Sequence, residues 1–200
     1  MRRPLAFILA VLLTVPCLVH AQDRSKTLSD VSTALVFVPF TADLALPLFG
    51  IKADRDYVDI LITMGGAMVT DIAVCEALKC IIPEDRPDLS GSDSFPSGHT
   101  SKAFTAAEVV RMEYGWGWGA GAYAAAATTG ILRAASDKHY WWDCAAGAVV
   151  GVASAHVGDL MQPTFRRWWN KVFGVPADIS MSPTVDPVSG TPAAYFSIRF

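Results

Sequence analysis

The chain has 200 residues, 52% hydrophobic and 18% charged, with a formal net charge of −3. That length suits one domain with a sizeable core, and the low charge points to a well-buried helical interior or to membrane contact. Basic residues form no broad cluster, which excludes nucleic acid as a partner.

Residues 1–21 read as an export signal. Arg2 and Arg3 precede an apolar run from Leu5 to Val15, and Val19-His20-Ala21 closes it with a cleavage-like pattern. The alternative is an uncleaved membrane anchor. Removal would take two of the 16 basic residues and none of the 19 acidic ones, moving the net charge from −3 to −5. The expectation is an exported, periplasmic protein with a helical domain over 22–175 and an extended tail over 176–200.

Pro39, Asp43 and Pro47 interrupt the apolar stretch 31–51 and predict short, kinked helices there. Asp56 to Leu78 repeats apolar residues at helical spacing and delivers Lys79 at its end, while Pro83 and Pro87 prevent continuation. A polar loop, Gly91 to Phe95, then leads into Pro96-Ser97-Gly98-His99, with Ser97 as N-cap of a helix running to Met112. Tyr114-Gly-Trp-Gly-Trp-Gly reads as a turn, and Gly119 to Ala134 as an Ala-rich helix ending at Arg133. Ser136 or Asp137 would cap the next helix, from Lys138 to about Met161, with His139 and Asp143 in its first turns. Arg166 to Lys171 is basic and aromatic, either an exposed helix end or a foothold on a membrane surface. Ala194 to Phe200 alternates and can pair with Ile179 to Ser182. The expected fold class is all-α: a compact helical bundle with its site at one end, plus a short C-terminal extended segment or β-hairpin.

Three clusters in this order carry chemistry. Lys79, Arg86 and Arg133 are cations suited to phosphate oxygens, two of them as planar forks. Ser97 and Gly98 stand where a loop becomes a helix, and a helix N-terminus favours an anion. His139 and Asp143 are four apart, so on a helix they share a face and can hydrogen-bond. That pairing would orient His139 as a nucleophile, leaving His99 as the acid for the departing oxygen. One ring must start neutral and the other protonated, so their environments should push the two pKa values apart. His99, His139 and Asp143 can ligate zinc in principle, but three neighbouring cations repel a metal and attract an oxyanion. No metal and no cofactor are expected.

Lys-x6-Arg-Pro at 79–87, Pro-Ser-Gly-His at 96–99 and Arg-x5-His-x3-Asp at 133–143 resemble the three motifs of the type 2 phosphatidic acid phosphatase superfamily. That family includes lipid phosphatases, bacterial class A acid phosphatases and vanadium haloperoxidases. The resemblance implies a metal-independent phosphatase acting through a phosphohistidine. It places the nucleophile at His139, its partner at Asp143 and the general acid at His99. Phosphate-binding positions fall at Lys79, Arg86, Ser97, Gly98 and Arg133. One position departs from the pattern: the family usually has Ser directly before the motif-three arginine, where this chain has Leu132. The substrate class implied is a phosphorylated molecule, lipid or polyprenyl, with possible peripheral membrane contact. Two alternatives are a vanadium-dependent haloperoxidase and a non-catalytic phosphate or lipid-headgroup binder.

Cys75, Cys80 and Cys144 follow the signal, and an odd number leaves one unpaired. Cys80 with Cys144 is the better pair, since both adjoin motifs; three buried thiols is the alternative. A membrane-spanning helix needs roughly 20 apolar residues. Ile60–Thr70 and Cys144–Gly158 stop short between aspartates, so the expectation is a mostly soluble domain.

Overall fold

A computed structural model describes residues 24–173, 179–185 and 192–198; the export signal expected over 1–21 lies outside the described residues. Five α-helices account for most of it: α1 (Arg24–Ala45), α2 (Tyr57–Ile81), α3 (Gly98–Tyr114), α4 (Trp116–Ala135) and α5 (Trp141–Phe173). A 3₁₀ turn, Leu46–Phe49, follows α1. Beyond α5, β1 (Ile179–Val185) and β2 (Pro192–Ile198) pair antiparallel, with Ile179 opposite Ile198. The expected all-α bundle is therefore what forms, with the small hairpin at its C-terminal side.

Helix α3 is the axis, packed against all four other helices. Its small residues make this possible. Ala103, Ala107 and Val110 meet Val36, Ala42, Leu46, Ala122 and Ala126 on one side, while Ala106 and Val109 meet Met64 and Ala155 on the other. Two glycines of α5 permit its close approach: a Cβ at Gly147 would stand 2.6 Å from Ser97 O, and one at Gly151 would run into Ser101 O. This crossing holds the N-terminus of α3 firmly at one end of the bundle.

Several helices are longer than their sequences suggested. Helix α1 runs unbroken through Pro39, and Asp43 on it is turned wholly inward. The aromatic turn reduces to Gly115, whose φ of 73° suits a residue without a side chain, and Trp116 already begins α4. Helix α5 passes through Pro163 to Phe173, absorbing the basic aromatic patch. Gln162 and Arg166 flank that proline and both reach Asp59 on α2, at 2.6 and 3.2 Å, which pins the turn despite the missing N–H.

The aspartates expected to interrupt spanning helices do not interrupt the outer surface. Asp71 is buried and accepts from Ser101 and Thr105; Asp143 is buried; Asp159 pairs with Arg55 at 2.5 Å. Arg24–Ala45, Tyr57–Ile81 and Trp141–Val172 are each long and apolar enough to cross a membrane by length and composition. About a third or less of each apolar window is buried within the protein. Phe37, Leu61, Val69, Val149 and Leu160 face outward. An apolar exterior this extensive marks a membrane-contacting protein.

The expected disulfide is absent. Cys75, Cys80 and Cys144 are all free thiols, with Cys80 exposed and Cys144 buried, so the pair adjacent in motif position does not meet in space. The alternative of three buried thiols fails at Cys80 as well.

Candidate active site

The three motifs converge at the end of the bundle where α3 begins. Lys79 lies in the last turn of α2, and its ammonium stands 3.9 Å from where a Cβ on Gly98 would be. The α2–α3 loop then folds over the α4–α5 turn. Asp88 N donates to Asp137 O at 3.1 Å, Ser94 N to Glu84 O at 2.9 Å, and Ser97 N to Asp143 O at 3.1 Å. These main-chain bonds tie motif one to motif three, and motif two to motif three. Ser97 occupies the N-cap position of α3, but its hydroxyl bonds Thr100 Oγ1 at 2.9 Å rather than a backbone N–H. The first turn of α3 thus keeps donors at the cup.

Arg86 is held as a fork. Its Nε and Nη2 donate to the two oxygens of Asp93, both at 2.9 Å, and Lys79 lies 3.9 Å from the same carboxylate. Burial pushes the Asp93 carboxyl up, but the Arg86 fork and the Lys79 charge outweigh it and hold the group below its ordinary value. Arg133 contrasts with Arg86. It is 4% exposed, donates from Nη1 to Ser29 Oγ at 3.1 Å, and its Nε has no partner.

The histidine geometry corrects one expectation. His139 precedes α5 instead of lying in its first turn, because residues 136–140 form a turn in which Asp137 adopts a φ of 55°. His139 Nδ1 consequently lies 3.7 Å from Asp143 Oδ2, beyond hydrogen-bond range, and bonds Ser94 O at 2.8 Å. A carbonyl only accepts, so Nδ1 carries the proton and Nε2 keeps its lone pair. Asp143 Oδ2 instead accepts from Ser94 Oγ at 2.6 Å and from Tyr140 N at 2.8 Å. It is Asp143, not Ser136 or Asp137, that takes a backbone donor at the start of α5. Ser94 bridges the two residues that were expected to touch.

His99 sits in the first turn of α3 with its Nε2 3.4 Å from Thr33 Oγ1. Both rings resist protonation. Burial, then the charges of Arg133, Lys102, Arg86 and Lys79, lower His99 to about 4. Burial, then Arg133 and Arg86, lower His139 to about 3, against the opposing pull of Ser94 O and with a further push from His99. The environments therefore do not separate the two rings as expected: one cationic cup depresses both.

All eight residues singled out from the sequence surround this cup. Ser94, Asp93, Ser29 and Thr33 also belong to it and were missed. Asp93 and Ser94 lie just before Phe95-Pro96, and Ser29 and Thr33 are hydroxyls four apart on an apolar helix, so their polarity shows in the sequence but their partners do not. Exposed apolar side chains, among them Leu89, Trp141 and Trp142, lie beside the motifs, and Trp142 Nε1 donates to Glu84 at 3.0 Å.

The chain is similar to known proteins. The lipid A 1-phosphatase of Porphyromonas gingivalis is 32% identical over 126 residues, which is 60% of this chain. The chain spans only about 28% of that relative's length. The crystal structure of Aquifex aeolicus LpxE superposes with a TM-score of 0.52 at 21% identity, over 66% of this chain and 84% of that one, a likeness of fold. The PAP2 superfamily matches residues 60–167, more than half of the chain and all of the span from Lys79 to Asp143. By that match and by the convergence of its three motifs, the chain belongs to the PAP2 superfamily.

Proposed function

We propose that this protein is a metal-independent, membrane-associated phosphatase that hydrolyses the phosphate of a lipid through a phosphohistidine on His139. One observation carries the reading. Arg133 is a buried guanidinium with an unpartnered Nε and no carboxylate in salt-bridge range among the described residues. A buried charge left uncompensated is costly, and a phosphate oxygen offsets that cost.

The geometry supports the following roles. Lys79, Arg86, Arg133 and the Gly98 N–H at the start of α3 bind the equatorial oxygens, where charge spreads in the transition state, while Ser97 is anchored beside them by its own N–H on Asp143 O. His139 is neutral, with Nδ1–H held by Ser94 O, so Nε2 attacks phosphorus. The leaving oxygen takes a proton from His99 Nε2, and water then hydrolyses the phosphohistidine. Asp143 acts through Ser94 and the Tyr140 N–H, fixing the turn that carries His139. A phosphate dianion brings negative charge among the cations that depress His99, which raises its proton affinity when an acid is required. The similarity to a lipid A 1-phosphatase and the apolar exterior support a lipid substrate presented at a membrane surface. An exported protein with its cup facing the periplasm fits the signal-like residues 1–21, and the helical unit 22–175 with its tail 176–200 is the corresponding division.

The test is phosphate release by purified protein from a panel of lipid phosphates, polyprenyl diphosphates and soluble esters, with chelator and vanadate present in separate arms. Release from lipid esters, indifferent to chelator and blocked by vanadate, is expected, together with an acid-labile phosphoprotein on rapid quench. Loss of activity with chelator and its return with zinc or magnesium would overturn the metal-free mechanism.

A further inference from the structure

Helix α1 begins well outside the stretch matched by the family, yet three of its hydroxyls reach the site. Ser25 Oγ donates to Ser136 O at 2.8 Å, Ser29 Oγ accepts from Arg133 Nη1 at 3.1 Å, and Thr33 Oγ1 lies 3.4 Å from His99 Nε2. Ser25, Ser29 and Thr33 are spaced by four and share one face of α1. Ser29 brings to Arg133 a hydroxyl that Leu132 does not supply.

The direction of the Thr33 contact can be settled from its other bond. Thr33 Oγ1 donates to Ser29 O at 3.0 Å. A hydroxyl has one hydrogen and two lone pairs, so toward His99 it is an acceptor, and the ring nitrogen facing it carries the proton. The hydrogen that His99 Nε2 donates to Thr33 Oγ1 is therefore the one a general acid delivers.

We propose that Thr33 is a positioning residue for His99, and that the α1 face it occupies sets which leaving groups the site releases. The proposal rests on the phosphatase reading above. During transfer the phosphorus–oxygen bond to the leaving group breaks as the His139 Nε2–phosphorus bond forms. The Nε2 proton of His99 passes from the Thr33 contact to the leaving oxygen, which departs as the alcohol. That oxygen must approach the nitrogen that Thr33 faces, so the alcohol lies against α1. Phe37, one turn on and 60% exposed, and Leu44, 43% exposed, continue an apolar track for it. The ligand class is accordingly an aliphatic alcohol esterified to phosphate, whose alkoxide leaves poorly without a proton.

The experiment compares Thr33→Val, which keeps the shape and removes the hydroxyl, with Thr33→Ser, which keeps the hydroxyl. For a long-chain alkyl phosphate in mixed micelles, Thr33→Val should lower kcat about tenfold, the worth of one hydrogen bond to a charged group. For 4-nitrophenyl phosphate, whose leaving group needs no proton, the loss should stay below about twofold. Thr33→Ser should restore the alkyl ester rate. The pH limb of kcat/KM belonging to His99 should move to lower pH in Thr33→Val, because an acceptor that favours the imidazolium is gone. The charges facing His99 (Lys79 from α2, Arg86 from the loop, Lys102 from α3, Arg133 from α4 and His139 ahead of α5) remain in place. Equal losses on both esters, or no rescue by Ser, would overturn the proposal. If the wild-type protein released phosphate from neither ester, the phosphatase reading would fall. The Thr33 contact is then decided by ¹⁵N NMR of His99, where an Nε2–H tautomer lost or weakened in Thr33→Val supports it and an Nδ1–H tautomer in the wild type refutes it.

Discussion

Two guanidinium groups at opposite ends of the bundle, Arg55 half-buried and Arg133 buried, meet different surroundings. At the end away from the motifs, Arg55 meets the wholly buried Glu113 at 2.5 Å and Asp159 at 2.5 Å. Its charge is compensated within the fold, and the cluster ties the α1–α2 connection to α3 and α5. Arg133, more deeply buried, meets a serine hydroxyl and keeps one nitrogen unpartnered among the described residues. The first arrangement closes on itself, and the second meets no carboxylate among the described residues, the feature on which the proposed phosphate contact rests. On the phosphatase reading, the missing countercharge is what marks Arg133 as a binding group and Arg55 as a structural one.

The largest effect is expected at His139, the proposed nucleophile. His139→Ala should abolish phosphate release while vanadate binding, followed by calorimetry, persists, because the cations do not depend on the ring. Next in size is the exchange of the two arginines. Arg133→Ala should reduce turnover by about 10²–10³-fold, as for loss of a transition-state donor, with little effect on the melting temperature. Arg55→Ala should do the reverse, costing about 3–5 kcal/mol of stability in denaturant titrations and leaving turnover per folded molecule near wild type. Equal stability losses from both would remove the distinction drawn here.

His99→Ala should cost about 10²–10⁴-fold on esters that need protonation and far less on 4-nitrophenyl phosphate, measured as kcat on the two. Ser94→Ala keeps the main-chain carbonyl on His139 and removes only the hydroxyl on Asp143, so a smaller loss of about tenfold in kcat is expected. The weakest effect is in pH. The unfolded imidazoles gain protons near 6.5, whereas folded His99 and His139 resist until about 4 and about 3. Between those values the unfolded chain binds more protons, so stability falls as pH drops from 6.5 toward 3. Melting curves across that range should show the decline, and His139→Asn should lessen it.

Much of the site was legible because its chemistry is local. Lys79 at a helix end, Ser97 and Gly98 at a helix start, and the Arg133–His139–Asp143 run are short-range patterns, and all converge as the motif order implied. What escaped was long-range. Asp143 is adjacent to His139 in the motif but reaches it only through Ser94, 45 residues from His139 in sequence, because the backbone turns at Asp137 before α5 begins. Asp93 looked like loop polarity until it proved to clamp Arg86. Asp71 looked like an interruption in a spanning helix until its carboxylate proved to face Ser101 and Thr105 inside the bundle. A charge read along the chain has no direction; only packing assigns it to the core or the exterior.

Residue types and their spacing determined that this chain would be helical and that it would gather cations and imidazoles suited to an oxyanion. Propensity, periodicity and motif order act over a few residues and survive in one dimension. Tertiary structure alone decided that α1 forms a wall of the cup, that the two histidines share one depressing field, and that Arg133 meets no countercharge among the described residues. Those properties depend on distances between residues up to about a hundred positions apart, such as Arg133 and Ser29, which no local pattern encodes.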